Sequence, residues 1–264
     1  MATKTLLEIP AETTKKLKRL NSYAGILHLV SGVLILLLSN NFSLPVTGTY
    51  TSGGPGSAND APVTLFSLPI GLCCALFLFM SAAAHFWIIS GPGFSRYQND
   101  LRNQRNYARW IEYSLSSTLM IILISTLWSI TDFGELLAIS VANISMILFG
   151  WLQEKYEVPG EGGLMPFYFG CIAGIAPWLI VLFLLISPNR VGTASPPGFV
   201  YGIVVSLFLF FNCFALNQWL QYKQIGKWKN YLYGERVYII LSFAAKSALA
   251  WQIFSGALAA TMPQ

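Results

Sequence analysis

Four side chains with proton chemistry lie inside otherwise apolar stretches of this chain: His28, His85, Glu112 and Lys246. A charge at bilayer depth costs at least ~2.5–3.5 kcal/mol on insertion scales, so such groups are functional candidates. Lys246 sits in the run from Leu241 to Trp251, ten residues beyond Arg236. At 1.5 Å per helical residue that is about 15 Å, near the middle of a bilayer, and snorkelling covers only part of the distance. Two chemistries suit it. It either forms a buried ion pair that fixes packing, or condenses with an aldehyde to a Schiff base, which removes the free ammonium. Glu112, the only carboxylate read well inside an apolar run, lies seven residues past Arg105. It is about 10 Å deep by the same rise, and is the natural counterion under either chemistry.

His28 and His85 fall in the same half of the bilayer as Glu112. Ser81 is one turn from His85 and Ser116 one turn from Glu112, with Tyr113 and Asn143 as further hydrogen-bonding groups. A lone intramembrane histidine usually hydrogen-bonds between helices; two beside a carboxylate suit a proton-holding network. Two histidines and a glutamate are also zinc-ligand types, but no HxxxH-like spacing exists, so no metal is expected. On the other side of Lys246 the chain is bare: 247–264 and 114–131 contain no ionisable side chain. A vectorial proton pump needs groups on both sides of the switching proton, so this distribution argues against pumping.

The elements that must position these residues are membrane spans. Of 264 residues, 55% are hydrophobic and 10% charged, against roughly 25% charged in soluble domains. That excludes a disordered chain, a coiled coil and an ordinary cytosolic enzyme. Cys73, Cys74, Cys171 and Cys213 lie in apolar runs without a CxxC, which excludes a disulfide scaffold. Seven runs approach or exceed the roughly 20 residues that cross a bilayer: 21–39, 63–90, 106–131, 135–153, 166–187, 198–221 and 237–258. The reading is an all-α membrane protein, one seven-helix transmembrane domain over 1–264. The N-terminal part offers no small-x-small cleavage site, so no cleaved signal peptide is expected. Ala11 to Arg19, with Lys15, Lys16, Lys18 and Arg19, reads as a short basic helix on the membrane surface or a solvated tail.

Charge sets the orientation. The N-terminal side carries Lys4, Lys15, Lys16, Lys18, Arg19, Arg96, Arg102, Arg105, Arg109, Lys155, Lys223, Lys227, Lys229 and Arg236, fourteen cations, against Arg190 alone opposite. The positive-inside rule then places the N-terminus in the cytoplasm and the C-terminus outside. The net charge of +5 belongs with anionic lipid headgroups and does not indicate nucleic acid. In the first outer connection, Val46 to Thr51 has strand propensity and Gly53-Gly54-Pro55-Gly56 can turn it, which predicts a small β-hairpin between helices 1 and 2. Gly170 and Gly174 permit close helix approach, for dimerisation or internal packing.

Several segments resemble the heliorhodopsins. They are Arg109-Trp110-Ile111-Glu112-Tyr113-Ser114-Leu115-Ser116-Ser117, Ile147 to Tyr156, Phe169 to Ile175, Pro197 to Gly202, Ser206 to Asn212, and Ala245-Lys246-Ser247-Ala248-Leu249-Ala250-Trp251-Gln252-Ile253-Phe254-Ser255-Gly256. The resemblance covers nearly the whole chain. It implies a light-sensing, seven-helix protein with a cytoplasmic N-terminus, in which Lys246 carries all-trans-retinal as a protonated Schiff base and Glu112 is the counterion. By the same resemblance His28 and His85 match the family's cytoplasmic-side histidine pair, and Ser242 and Ser81 match polar partners near the Schiff base. Position 31, a serine, departs from the larger polar residue expected there. Retinal needs a deep apolar slot, for which Tyr168, Phe210, Phe211 and Trp251, with Met146, Gly150 and Gln218 opposite, are candidates.

The resulting expectation is a homodimeric photoreceptor in the plasma membrane that signals to an unknown cytoplasmic partner. Light would drive a proton from the Schiff base into the Glu112/His28/His85 cluster. The alternatives are a light-gated or light-driven proton transporter, and a non-photic transporter using Lys246 and Glu112 as an ion pair. Ser81 and His85 lack a GxSxG or metal-binding motif, so no enzyme is expected.

Overall fold

The structure is a computed structural model and describes residues 6–54, 61–186 and 198–259. In chain order its elements are α1 (Ala11–Leu38), β1 (Ser43–Gly48), β2 (Val63–Pro69), α2 (Ile70–Ile89), α3 (Gly91–Arg102), α4 (Tyr107–Leu127), α5 (Phe133–Tyr156), α6 (Met165–Ile186) and α7 (Gly198–Tyr222). A 3-10 turn (Gly226–Lys229) and α8 (Tyr231–Ala259) follow. Among the described residues, seven helices, all but α3, are long and apolar enough to cross a membrane.

Three boundaries differ from the sequence reading, one through packing between helices and two through local backbone chemistry. The basic stretch is not a separate surface helix. It forms the first turns of α1, whose 28 residues span about 42 Å, longer than a bilayer core. Those turns are held by packing: Leu17 is buried with Tyr97 and Leu101 of α3, and the Lys18 ammonium lies 4.8 Å from the Phe94 ring centre. The second apolar run is not helical throughout. Its first seven residues form β2, because Pro69 favours extended backbone before it and has no N–H to continue a helix. The α3 helix was not expected. After Ser90 the chain bends sharply, and a Cβ at Gly93 would run into the Trp87 carbonyl oxygen. Ser90 Oγ then accepts from Gly93 N and caps α3.

The β-strands pair antiparallel, from Ser43 opposite Pro69 to Gly48 opposite Val63, with an irregularity between Val46 and Thr47. The hairpin is thus where it was expected. Its first strand is shifted to Ser43–Gly48 and its second belongs to the former second span. Pro55 and Gly56 of the expected turn lie outside the described residues. Val46 is buried, and Thr47 N donates to the Thr131 carbonyl at 2.8 Å, which ties the hairpin to the α4–α5 connection. There Asp132 caps α5 by accepting from Gly134 N at 2.8 Å.

The bundle has two unlike ends. At the hairpin end the core is apolar and includes Ile35, Phe77, Leu78, Leu123, Ile124 and Ile253. At the α3 end a second, smaller apolar cluster around Leu17, Ile88, Leu101 and Ile239 is joined by buried charged residues, among them Arg109, Glu154 and Glu235.

Candidate functional site

Lys246 and Glu112 meet. α8 and α4 bring them face to face, and Lys246 Nζ donates to Glu112 Oε1 at 2.5 Å. Nζ also donates to Ser81 Oγ and to Ser116 Oγ, each at 2.9 Å. Ser81 Oγ in turn donates to Glu112 Oε1 at 2.6 Å. All three donors of the ammonium are used, as a buried charge requires. The Tyr113 ring centre lies 4.7 Å from Nζ and adds a cation–π contact. Lys246 is only 3% exposed.

A cavity of about 330 Å³ opens from Lys246 and runs between α4, α5, α6 and α7. Its walls include Tyr113, Met146, Gly150, Trp178, Phe210, Phe211 and Gln218. Gln218 Nε2 donates to the Gly150 carbonyl at 3.0 Å, which closes the α5–α7 wall. Gly170 and Gly174 line the cavity and pack on α5: a Cβ at Gly170 would stand 3.3 Å from the Met146 carbonyl oxygen, and one at Gly174 would collide with the Met146 side chain. In this chain the small-residue spacing therefore serves internal α5–α6 packing.

Four expected pocket or partner residues lie elsewhere. Tyr168 is 53% exposed on the outer surface of α6 and does not line the cavity; its phase on the helix turns it outward. Trp251 packs against the hairpin-end core. Asn143 stands behind the wall, where its Nδ2 donates to Ser117 Oγ at 2.8 Å and Thr118 Oγ1 at 3.0 Å. Ser242 is buried one turn before Lys246, yet its Oγ has no partner. It lines a second, smaller cavity of about 30 Å³.

That smaller cavity gathers Asn21, His85, Arg109, Glu112, Glu235 and Ser242 on the α3 side of Lys246. His28 and His85 stack, with ring centres 5.7 Å apart and planes 19° from parallel. His85 Nδ1 lies 2.8 Å from Asn21 Oδ1, whereas neither ring nitrogen of His28 has a partner. Ser31 is buried on the same helix as His28.

The sequence reading missed a second ionic centre. Arg109 donates to Glu154 Oε1 at 2.6 Å and also pairs with Glu235. Trp110 Nε1, Asn106 N and Tyr231 OH hold Glu154 at 2.5, 2.8 and 2.9 Å. Asn106 Nδ2 and Tyr97 OH donate to Glu235 at 2.8 and 3.0 Å. Glu154 and Glu235 are 2% and 1% exposed. Hydropathy cut the spans at these charges, whereas α5 continues to Tyr156 and α8 begins at Tyr231. Helical phase was the available signal: Arg109 shares a face with Glu112 and Ser116, and Glu235 with Ile239, Ser242 and Lys246. Outside the spans, burial and then the adjacent Glu235 carboxylate push the Tyr97 hydroxyl well above its ordinary value.

The fold is that of the microbial rhodopsins. The chain resembles the rhodopsin of Exiguobacterium sibiricum with a TM-score of 0.64 and 14% identity, over 94% of this chain and 98% of that one. It resembles thermophilic rhodopsin with a TM-score of 0.67 and 14% identity, over 97% and 98%. For xanthorhodopsin, described as a light-driven ion pump with dual chromophore, the values are 0.64 and 14%, over 97% of each chain. At such identities the likeness concerns the fold alone. No curated protein matches the sequence. The family model that describes heliorhodopsin matches residues 17–258, nearly the whole chain, and the protein belongs to the heliorhodopsin family.

Proposed function

We propose that this heliorhodopsin is a light receptor that carries all-trans-retinal on Lys246 and holds the released proton at its α3 end. The observation that carries the reading is the Lys246–Glu112 pair, 2.5 Å apart, at the head of an apolar cavity of about 330 Å³. The residues fit the group. The cavity volume is within the range of small-molecule sites, its walls are aromatic and aliphatic, and a single amine stands at one end. Met146, Gly150, Trp178, Phe211 and Gln218 would hold the chromophore. Bound there, retinal supplies absorption of visible light and isomerisation.

The chain's own residues do the rest. Glu112, Ser81 and Ser116 stabilise a proton on Lys246 Nζ. When that N–H turns away from Glu112, the balance between nitrogen and carboxylate reverses, and the proton moves into the Glu112/His85/His28 cluster. The hairpin end offers it no ionisable side chain between 114 and 131 or between 247 and 264, which supports signalling rather than pumping. The proposal includes a homodimer in the plasma membrane with a cytoplasmic N-terminus, as the fourteen cations on that side favour.

The test is a visible spectrum of the protein expressed with all-trans-retinal, beside Lys246→Ala. A band that bleaches with hydroxylamine and is absent in the variant is expected; a folded wild type without a band overturns the reading. Glu112→Gln should abolish or redirect the light-driven deprotonation, and an unchanged deprotonation would sink the proton path. Light-evoked photocurrents across a membrane would favour transport over signalling.

A further inference from the structure

The smaller cavity contains an asparagine whose hydrogen bonds decide which nitrogen of His85 carries the proton. Asn21 lies on α1 and is 1% exposed. Its Nδ2 donates to the Leu17 carbonyl, one turn back, at 2.9 Å. A carbonyl only accepts, so the amide nitrogen has to face it and Oδ1 has to face away. That oxygen is 2.8 Å from His85 Nδ1. An amide oxygen also only accepts, so the proton between them belongs to His85 Nδ1. Neutral imidazole has one N–H, which leaves the lone pair on Nε2. His28 has no such director, because neither of its nitrogens is hydrogen-bonded.

We infer that Asn21 is a positioning residue that locks His85 in its Nδ1–H form and so makes Nε2 the base that receives the proton leaving Lys246. The origin of that proton rests on the proposed function; the tautomer does not. The balance is simple. One proton leaves Lys246 Nζ, which becomes neutral, and binds the Nε2 lone pair. His85 becomes imidazolium, with its other N–H still on Asn21 Oδ1. That bond strengthens as the ring gains charge, so Asn21 also stabilises the product. The charged and titratable groups that face the ring or share its cavity are His28 from α1, Arg109, Glu112 and Tyr113 from α4, and Glu235, Tyr238 and Lys246 from α8. His85 shares the small cavity with Glu112, the first carboxylate at Nζ.

The experiment is nitrogen-15 NMR of the histidine-labelled full chain in the dark, with His85→Phe to assign the ring. The wild type should show His85 protonated at Nδ1 alone. Asn21→Leu should shift it toward the Nε2–H form that free histidine prefers, and Asn21→Asp, whose carboxylate also accepts, should keep Nδ1–H. In the retinal-loaded protein, Asn21→Leu should slow light-driven deprotonation at Lys246 by on the order of tenfold or more, and Asn21→Asp should restore it. A retained visible band shows that each variant is folded. An Nε2–H ring in the wild type, or a tautomer unchanged in Asn21→Leu, overturns the inference. A wild type that binds no retinal overturns the functional reading instead and leaves the dark tautomer result standing.

Discussion

The two ends of the bundle differ in what they bury beside their apolar side chains. At the hairpin end, α2, α4 and α8 meet through Phe77, Leu78, Leu123, Ile124 and Ile253, all at or below 1% exposure. At the α3 end these helices bury His85, Arg109 and Glu235, joined by Asn21 and His28 of α1 and Glu154 of α5. Apolar packing is non-directional and tolerates many arrangements of similar volume. A buried charge tolerates few, because each donor and acceptor needs a partner at the right angle. The polar end is therefore the one whose geometry is specified most tightly. Among the described residues, Glu112 and His85, ionisable groups close to Lys246, lie toward that end.

The largest expected effect comes from removing the cation at the polar end. Arg109→Gln leaves Glu154 and Glu235 buried without their common partner, and should cost about 3–5 kcal/mol in unfolding measurements in detergent or bicelles. At the hairpin end Leu123→Ala should cost about 2–5 kcal/mol through lost packing and a cavity, yet leave the visible band in place. If Leu123→Ala moved the band as far as substitutions around Glu112 do, the division between the two ends would fail.

Smaller effects sharpen the division. Ser116→Ala removes one of three acceptors at Lys246 Nζ and should weaken the hold on that charge by about 1.5–3 kcal/mol, read as a displaced absorption band. Tyr97→Phe should cost about 1 kcal/mol near neutral pH. It should also change the alkaline limb of stability. Burial, with Glu235 beside it, raises the Tyr97 hydroxyl above its ordinary 10.0, so the folded protein holds this proton more tightly than the unfolded chain does. That contribution is whole below about pH 10 and falls away at higher pH. Unfolding free energy should therefore decline less steeply with alkali in Tyr97→Phe than in the wild type, and equal slopes would contradict it.

Much of this was legible in the residues themselves. Apolar run length gave seven spans, because a bilayer imposes a minimum length on any helix that crosses it. Lys246 and Glu112 stood out because a charge in an apolar run has few physical justifications. Their contact followed from similar depth on two helices. Ser81 and Ser116 followed from one-turn spacing. Tyr168 did not, because apolarity alone does not say whether an aromatic ring faces a cavity or lipid.

The sequence by itself determined the class, the number of spans and the intramembrane ion pair. All three depend on local composition and on the cost of placing charge in hydrocarbon. Tertiary structure decided that β2 replaces the first turns of the second span, that α1 runs unbroken through its basic segment onto α3, and that Arg109, Glu154 and Glu235 close into one buried centre. It also decided which histidine Asn21 directs. The ionic centre and the Asn21–His85 contact depend on groups 45 to 126 residues apart meeting at hydrogen-bonding distance, and the docking of α1 on α3 depends on packing between separate helices. Only the packed bundle sets those distances, because helical periodicity fixes the face of a residue but not the partner that face will meet.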